Sequence, residues 1–207
     1  MTPAEQLHAG IAALGLTLSD GAERQLLAYL DLLAKWNRTY NLTAVRKADE
    51  MVTHHLLDSL AVLPRLEKSV PAIRRLVDVG SGAGVPGLVL AIVRPELEVA
   101  SIEASQKKTA FQQQTKIELG LSNVSIHCAR SEAINETFDA AISRAFASLA
   151  DFVRYAGHLS QRLLAMKGQY PADEVAALPA GWRLASSHDL SVPGLDAQRH
   201  LLVLEKT

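Results

Sequence analysis

Hydrophobic residues in the first 70 positions recur every three or four residues, a spacing that places them on one face of an α-helix. The run SDGAERQLLAYLDLLAKW sets Asp20 and Glu23 at capping-box spacing ahead of such a face. A second helix is predicted from Asp49 to the residue before Pro64. The intervening run WNRTYNLTAVRK is polar and poorly periodic, which predicts a loop.

From residue 75 the pattern changes, and short apolar runs alternate with helical segments. The helical segments are VPGLVLAIV, with Pro86 near its first turn, and SQKKTAFQQQTKIELG, with Ser105 as its N-cap and Gly120 as its stop. The apolar runs predict strands, in the order RLVDV, EVASIE, VSIHC, FDAAIS, LLAMK, WRLASSHDLSV and HLLVLEK. This alternation is typical of a Rossmann-like, doubly wound, mostly parallel α/β sheet, here of seven strands. Because a Pro-Gly turn joins the last two runs, we expect one antiparallel strand at an edge of the sheet. The change of pattern divides the chain into an N-terminal helical extension over 1–70 and a core over 71–207.

The composition is that of a nearly neutral globular protein. Of 207 residues, 48% are hydrophobic and the formal net charge is −1, so any surface for a nucleic acid must be a local patch. The lone Cys128 cannot form an internal disulfide, no run is apolar enough to span a bilayer, and residues 1–30 lack a signal-peptide pattern. No Cys and His spacing indicates a metal site. We therefore expect a cytoplasmic protein with no bound metal and no membrane contact.

A glycine-rich loop, Gly80, Gly82 and Gly84, follows the first predicted strand, where α/β sheets bind ligands. Val85 follows directly, so the third glycine of the dinucleotide fingerprint is missing. Asp78, inside the strand, can meet the ammonium group of an amino-acid-like ligand or can cap the N–H groups of the loop. Glu103, at the end of the next strand, can accept hydrogen bonds from ribose hydroxyls or can be a solvated charge. This set suits S-adenosylmethionine better than NAD.

Several longer stretches carry a resemblance to a known family. The run VDVGSGAG, taken with Glu103, resembles class I S-adenosylmethionine-dependent methyltransferases. The stretches KWNRTYNLTAVR, HHLLDSL, GAGVPGLVLAIVRPE, ISRAFASL, MKGQ and QRH are similar to the ribosomal small-subunit methyltransferase G family, also called glucose-inhibited division protein B. The likeness runs from about residue 20 to residue 204. It implies the class I methyltransferase fold and methylation of N7 of a guanine, position 527 in the usual bacterial numbering, in 16S ribosomal RNA.

The resemblance and the loop chemistry together give a set of expected cofactor contacts. These are Asp78, Gly80, Gly82, Gly84, Val85, Glu103, Ala104, Ser131, Glu132 and Arg144. Three departures from the family pattern occur: Glu103 stands where an aspartate is common, which should keep the ribose contact, His54 stands where some relatives carry arginine, and QRH replaces a more usual ERH.

The expected chemistry requires little from the protein beyond positioning. Guanine N7 has a lone pair in the ring plane and no proton, so no general base is needed. No residue is therefore identified as catalytic with certainty, and Arg144 is the candidate for positioning through a phosphate or the cofactor, with a structural ion pair as the alternative. Phe146 can stack on an extruded base or can belong to the core.

An RNA-facing surface is predicted between Leu32 and Ala48, where four basic residues and no acid occur and two aromatic residues are interleaved. The residues expected to contact RNA are Trp36, Arg38, Tyr40, Asn41, Arg46, Lys47, His55, Phe146 and Lys167. The alternative is a solvated helix end with Trp36 buried. His55 shares a helical face with Asp58 and Ser59, and the three can form a local hydrogen-bond network.

The expected partner is 16S ribosomal RNA or the small ribosomal subunit, bound by a monomer. Two other functions stay open at this point: a small-molecule methyltransferase on the same fold, and a non-catalytic RNA-binding assembly factor. Transfer of label from S-adenosylmethionine to RNA, to subunits or to metabolites distinguishes the three.

Overall fold

The computed structural model describes residues 1–144 and 146–207. Its centre is a sheet of seven strands in the order β3-β2-β1-β4-β5-β7-β6. The strands are β1 (Arg75–Val79), β2 (Glu98–Glu103), β3 (Val124–Cys128), β4 (Ala140–Ser143), β5 (Arg162–Lys167), β6 (Trp182–Asp189) and β7 (His200–Lys206). β7 runs antiparallel to both β5 and β6, while the other neighbours are parallel. The predicted doubly wound sheet with one antiparallel strand is confirmed.

Nine α-helices surround this sheet in the described part of the chain, and several are short. They are α1 (Pro3–Ala13), α2 (Asp20–Tyr40), α3 (Ala48–Met51), α4 (Asp58–Leu60), α5 (Leu63–Ser69), α6 (Gly87–Val93), α7 (Gln106–Leu119), α8 (Leu149–Ala156) and α9 (Ala172–Ala176). A π-helical turn, Val52–Leu57, links α3 to α4, and a 3₁₀ turn covers Ser131–Ala133. No helix within these described residues is long and apolar enough to cross a membrane.

Helix α2 differs from its prediction at both ends. Its N-cap is Ser19, whose hydroxyl accepts from the N–H of Ala22, so the capping role predicted for Asp20 is wrong. At the other end the helix continues to Tyr40 and stops at Asn41, which has a left-handed φ of 49°. The run WNRTY is therefore helical, since burial of one helix face outweighs its weak periodicity, and only the second half of the predicted loop is a loop.

The helix predicted from Asp49 is broken into three pieces. The π-helical turn interrupts it, and α4 ends at Leu60. Leu63 and Pro64 open the separate helix α5 rather than closing the previous one, because a proline in the first turn lacks only an N–H that would have no helical partner.

Two apolar clusters cover the two faces of the sheet. Alternate residues of the strands face opposite clusters, for example Leu76 in one and Val77 in the other. The larger cluster contains Leu26 and Leu33 of α2 together with Phe111 of α7, so the N-terminal helices and the sheet share one core on this face. The division of the chain at residue 70 stays a prediction.

Candidate functional site

The glycine loop lies between β1 and α6, and side chains from two other helices hold it in place. Tyr29 of α2, fully buried, donates from its hydroxyl to the carbonyl of Ala83 at 2.9 Å. Gln112 of α7 donates to the carbonyl of Gly82 at 2.8 Å and is also bonded to buried serine hydroxyls beneath the loop. The glycine loop therefore rests on side chains of both α2 and α7, a support that no local pattern in the sequence indicated.

Asp78 lies at the base of this loop and is completely buried. Its Oδ2 accepts from the N–H of Gly87, at the start of α6, at 2.8 Å, whereas its Oδ1 has no hydrogen-bond partner among the described residues. Burial raises the pKa of this carboxyl to about 7, although the Gly87 N–H and the charge of Arg144 act in the opposite direction. Asp78 thus caps the loop and keeps one oxygen available, and its contact with an ammonium group stays a prediction.

Glu103 closes the other side of the loop. One carboxylate oxygen accepts from the N–H of Gly82 at 2.9 Å, and the other accepts from the N–H of Ser105 at 2.8 Å. Each carboxylate oxygen can accept a second hydrogen bond, so this arrangement is compatible with a ribose hydroxyl as a further donor. The predicted capping side chain of Ser105 makes no such bond, because Glu103 takes its place at the start of α7.

Four of the eight other predicted cofactor residues line a cavity of about 360 Å³ next to Glu103, whereas Gly82, Gly84, Val85 and Arg144 are not part of its lining. It includes Gly80, Ala104, Ser131, Glu132, Phe146 and Tyr155. The ring of Phe146 stacks on Phe152 and Tyr155, with ring centres 5.2 and 5.9 Å apart. Phe146 therefore belongs to the wall of this cavity, and the predicted contact with an extruded base stays untested.

A second cavity, of about 410 Å³, opens where β4 and β5 end. Its polar wall includes Thr43, His54, Asp58, Arg144, Lys167 and Arg199. Arg144 donates from Nη1 to the carbonyl of His54 at 2.7 Å and to Asp58 at 2.9 Å. Arg199 donates from Nε to the other oxygen of Asp58 at 3.1 Å. The ion pair considered as an alternative role of Arg144 is present, and Arg199 was not among the predicted site residues.

The two cavities lie close to the same strand ends. The hydroxyl of Ser143, the last residue of β4, donates to the carbonyl of Val79 at 2.7 Å and ties β4 to β1. Arg144 follows directly and is close enough to Asp78 to lower its pKa. A larger polar depression of about 630 Å³ lies at the opposite end of the sheet, around Asp139 and Arg162, away from the glycine loop.

His55 is 3% exposed and is one of the residues that line the second cavity. Its Nε2 is bonded to the hydroxyl of Thr43 at 3.1 Å, and burial, aided by the charge of Arg144, lowers its pKa to about 4. Asp58 bonds to the arginines, and Ser59 donates to the carbonyl of His55. The predicted three-residue network is therefore replaced by separate contacts, and an RNA contact by this mostly buried ring stays a prediction.

The predicted RNA residues of the N-terminal part lie at the C-terminal end of α2 and in the loop 41–47. Arg38, Arg46 and Lys47 are exposed; Arg46 donates to Asn41, and Lys47 pairs with Glu50 on the surface. Helix α7 contributes one further cation to this surface, the exposed Lys107, which donates to the carbonyl of Tyr40 at 3.0 Å.

The aromatic residues of this region differ in exposure. Tyr40 is 45% exposed, while Trp36 packs edge-on against buried Phe111 and is only partly accessible. Lys167 lies elsewhere, in an internal ion pair with Glu174 and in a hydrogen bond with the carbonyl of Ala147. A phosphate contact by Lys167 stays a prediction, and its position favours support of the loop after β4.

No group of three or more His, Cys, Asp or Glu side chains within residues 1–144 and 146–207 is arranged to hold a metal ion. Cys128 is exposed at the end of β3. Its register partner on the neighbouring strand β2 is Glu103, which lines the cavity of about 360 Å³.

Comparison with known families matches residues 22–202 to the family described as "GidB: rRNA small subunit methyltransferase G". The chain belongs to this family. Curated relatives named "Ribosomal RNA small subunit methyltransferase G" include one from Azoarcus sp. (strain BH72), 56% identical, with 100% of this chain and 98% of the relative covered. Another, from Pseudomonas syringae pv. syringae (strain B728a), is 50% identical, with 99% and 95% covered.

Solved structures support the fold at much lower identity. TrmN from Thermus thermophilus aligns with a TM-score of 0.56 at 19% identity, over 75% of this chain and 53% of that one. Magnesium protoporphyrin IX methyltransferase from Synechocystis PCC 6803, with bound SAM, aligns with a TM-score of 0.58 at 14% identity, over 86% and 97%. These likenesses confirm the class I methyltransferase architecture.

Proposed function

We propose that this protein transfers a methyl group from S-adenosylmethionine to N7 of a guanine in 16S ribosomal RNA. The observation that carries the proposal is the pairing of two cavities at the ends of β1 and β4, one beside the glycine loop and one beside Arg144, in a member of the methyltransferase G family. A sheet of this kind binds its ligands at these strand ends.

The residues around the loop fit S-adenosylmethionine. Gly82 has a φ of +59°, and a Cβ placed there would meet no atom within 4 Å, so its backbone faces open space that a ligand can approach closely. Asp78 Oδ1 is a buried acceptor without a protein partner in the described residues, and an ammonium group would complete it. Glu103 stands at the end of β2, where ribose hydroxyls are bound in sheets of this type.

The proposed mechanism is positioning, with no proton to remove. When bound, S-adenosylmethionine supplies an electrophilic methyl group on its sulfonium. Asp78 would hold the ammonium group and Glu103 the ribose hydroxyls, and Ser131 and Glu132 border the cavity expected to hold the adenine. Arg144, fixed between the His54 carbonyl and Asp58, keeps the strand end rigid between the two cavities. Alignment of the two reactants is then the main source of acceleration.

The exposed end of α2 is proposed to bind RNA phosphates through Arg38, Arg46 and Lys47, joined by Lys107 from α7. The oligomeric state proposed is a monomer. The location proposed is the cytoplasm, in keeping with a single cysteine in the sequence.

The test is an incubation with labelled S-adenosylmethionine and one of three acceptors: naked 16S RNA, isolated small subunits, or a metabolite extract. Label in RNA, recovered as 7-methylguanosine, supports the proposal and also shows whether free RNA or a particle is the better substrate. Label only in metabolites indicates a small-molecule methyltransferase. Binding of RNA without any transfer indicates an assembly factor.

A triple variant tests the RNA surface separately. Replacing Arg38, Arg46 and Lys47 by glutamine should weaken RNA binding and reduce its salt dependence by roughly 0.7–0.9 log units of slope per lost contact, with S-adenosylmethionine affinity unchanged. A matched control, Arg74, Arg183 and Lys206 to glutamine, removes the same charge from exposed positions near the opposite end of the sheet and should keep the slope. Equal slopes in the two triple variants would disprove the assignment of this surface.

A further inference from the structure

The second cavity has a charge arrangement that positioning of the cofactor does not explain. Asp58 is 1% exposed and accepts from two arginines that come from distant parts of the chain, Arg144 after β4 and Arg199 before β7. The arginine side chains are 29% and 25% exposed, so their outer faces reach the cavity. A buried carboxylate shared in this way fixes both guanidinium groups while leaving donors toward the open space.

The π-helical turn contributes to the same arrangement. In a regular α-helix the N–H of Asp58 would bond to the carbonyl of His54. Here it bonds to the carbonyl of Thr53, and the His54 carbonyl accepts from Arg144 instead. Turns of this kind are frequent at functional sites. The local irregularity of the helix therefore anchors Arg144 and orients Asp58 toward both arginines.

The remaining charges and donors of the cavity favour a ligand that presents hydrogen-bond acceptors. The two arginines and Asp58 leave one net positive charge, and Lys167 is paired with Glu174. Arg144 is held on the side of the cofactor loop by two acceptors for its Nη1. Arg199 uses Nε for Asp58 and Nη1 for the carbonyl of Gln198, while its Nη2 has no partner among the described residues. Both arginines therefore keep N–H groups that are unbonded within the described chain, and Arg199 is the one that offers a donor from the wall farther from the glycine loop.

We propose that this cavity receives the acceptor guanine and that Arg199 donates a hydrogen bond to its O6, a conclusion that rests on the function proposed above. Guanine presents O6 and N7 on one edge, and N7 must face the methyl group without a donor on it. O6 is the neighbouring acceptor, and adenine carries an amino donor in its place, which a guanidinium disfavours. Asp58 offsets one of the two arginine charges, which limits repulsion of the cationic ring that methylation creates.

The experiment combines a protein change with a base change. Wild type and Arg199→Gln are compared on small-subunit RNA whose target base is guanine or 2-aminopurine, which keeps N7 and lacks O6. On guanine, Arg199→Gln should lower kcat/KM roughly 10- to 100-fold, the range of a hydrogen bond to a charged group. Replacing guanine by 2-aminopurine should lower the kcat/KM of the wild type by a comparable factor. On 2-aminopurine the kcat/KM of Arg199→Gln should be little lower than that of the wild type, because the bond to O6 is already absent.

Controls separate this proposal from the function itself. Arg183→Gln, an exposed arginine of β6, should leave every rate unchanged, and S-adenosylmethionine affinity should not change in either variant. If Arg199→Gln does not fold, the comparison of guanine with 2-aminopurine in the wild type still tests the role of O6. Arg199→Lys, which keeps the charge beside Asp58, then takes the place of Arg199→Gln in the comparison of two proteins on two bases.

Two outcomes would overturn the assignment. Equal wild-type rates on the two bases would exclude a contact to O6. If the loss of kcat/KM for Arg199→Gln on 2-aminopurine RNA equals the product of the losses from the two single changes, Arg199 acts elsewhere. Failure of the wild type to methylate the guanine RNA would instead remove the proposed function.

Discussion

Replacing Asp78 by asparagine should stabilise the ligand-free protein at alkaline pH while weakening its cofactor binding. Burial raises the pKa of this carboxyl from 3.8 to about 7, a difference that corresponds to about 4 kcal/mol at most. Because the folded pKa lies above the unfolded one, the folded state binds the extra proton between these values. The free energy of unfolding therefore falls as pH rises from about 4 to about 7, and by roughly 2.5 kcal/mol between pH 5 and pH 8 from this group alone.

Asparagine retains an oxygen for the N–H of Gly87 and removes the titration. Urea unfolding of the ligand-free protein at pH 5 and pH 8 measures this effect. From pH 5 to pH 8 the free energy of unfolding of the variant should rise by roughly 2.5 kcal/mol relative to that of the wild type. The cost of burying the amide is the same at both pH values and does not affect this difference. Asp196→Asn, at an exposed position, should follow the wild type at both values. Calorimetry at pH 8 should show at least tenfold weaker S-adenosylmethionine binding by Asp78→Asn, since about 1.4 kcal/mol of ammonium attraction suffices for that factor. Parallel pH curves for Asp78→Asn and wild type would refute the reasoning.

The remaining predictions concern the loop and its supports. Gly82→Val should weaken S-adenosylmethionine binding at least tenfold in a folded protein, because its φ of +59° strains a branched residue and its side chain would occupy ligand space; unchanged calorimetric affinity would contradict this. Tyr29→Phe should lower the free energy of unfolding by about 1–3 kcal/mol, because the carbonyl of Ala83 loses its buried donor, and the exposed Tyr170→Phe is the control; equal urea midpoints would exclude that role. Glu103→Ala should cost about 1–3 kcal/mol of cofactor binding, and an unaltered dissociation constant would place ribose recognition elsewhere.

The strands could be predicted closely because a parallel sheet buries both of its faces. The central strands β1 and β2 are buried over four consecutive residues each, and β1, β2 and β3 have the predicted bounds, although β3, at the edge of the sheet, is only partly buried. The acids at the strand ends, Asp78 and Glu103, were found for the same reason, since the topology fixes where a strand end lies.

The parts that sequence reasoning missed depend on contacts between distant residues. Arg199 and Asp58 are 141 positions apart, and no local pattern links them. The support of the loop by Tyr29 and Gln112 likewise depends on how helices pack across the sheet. The π-helical turn has the hydrophobic spacing of an ordinary helix, so its altered hydrogen bonding had no signal in the sequence.

The two buried aspartates of the site differ in a way that bears on how the site is assembled. Asp58 has both oxygens bonded to arginines, so the wall of the acceptor cavity is complete within the protein itself. Asp78 has one oxygen on Gly87 and one without a partner in the described chain, and burial favours its neutral form. Removing the charge of Asp58 should therefore destabilise the fold by leaving two neighbouring arginines to repel each other, whereas removing that of Asp78 relieves a cost. On the acceptor side the charged groups are already paired before a ligand binds. On the cofactor side the protein keeps a buried carboxylate that is unfavourable until an ammonium group stabilises it. Such a loss of stability in favour of binding is expected at a functional site.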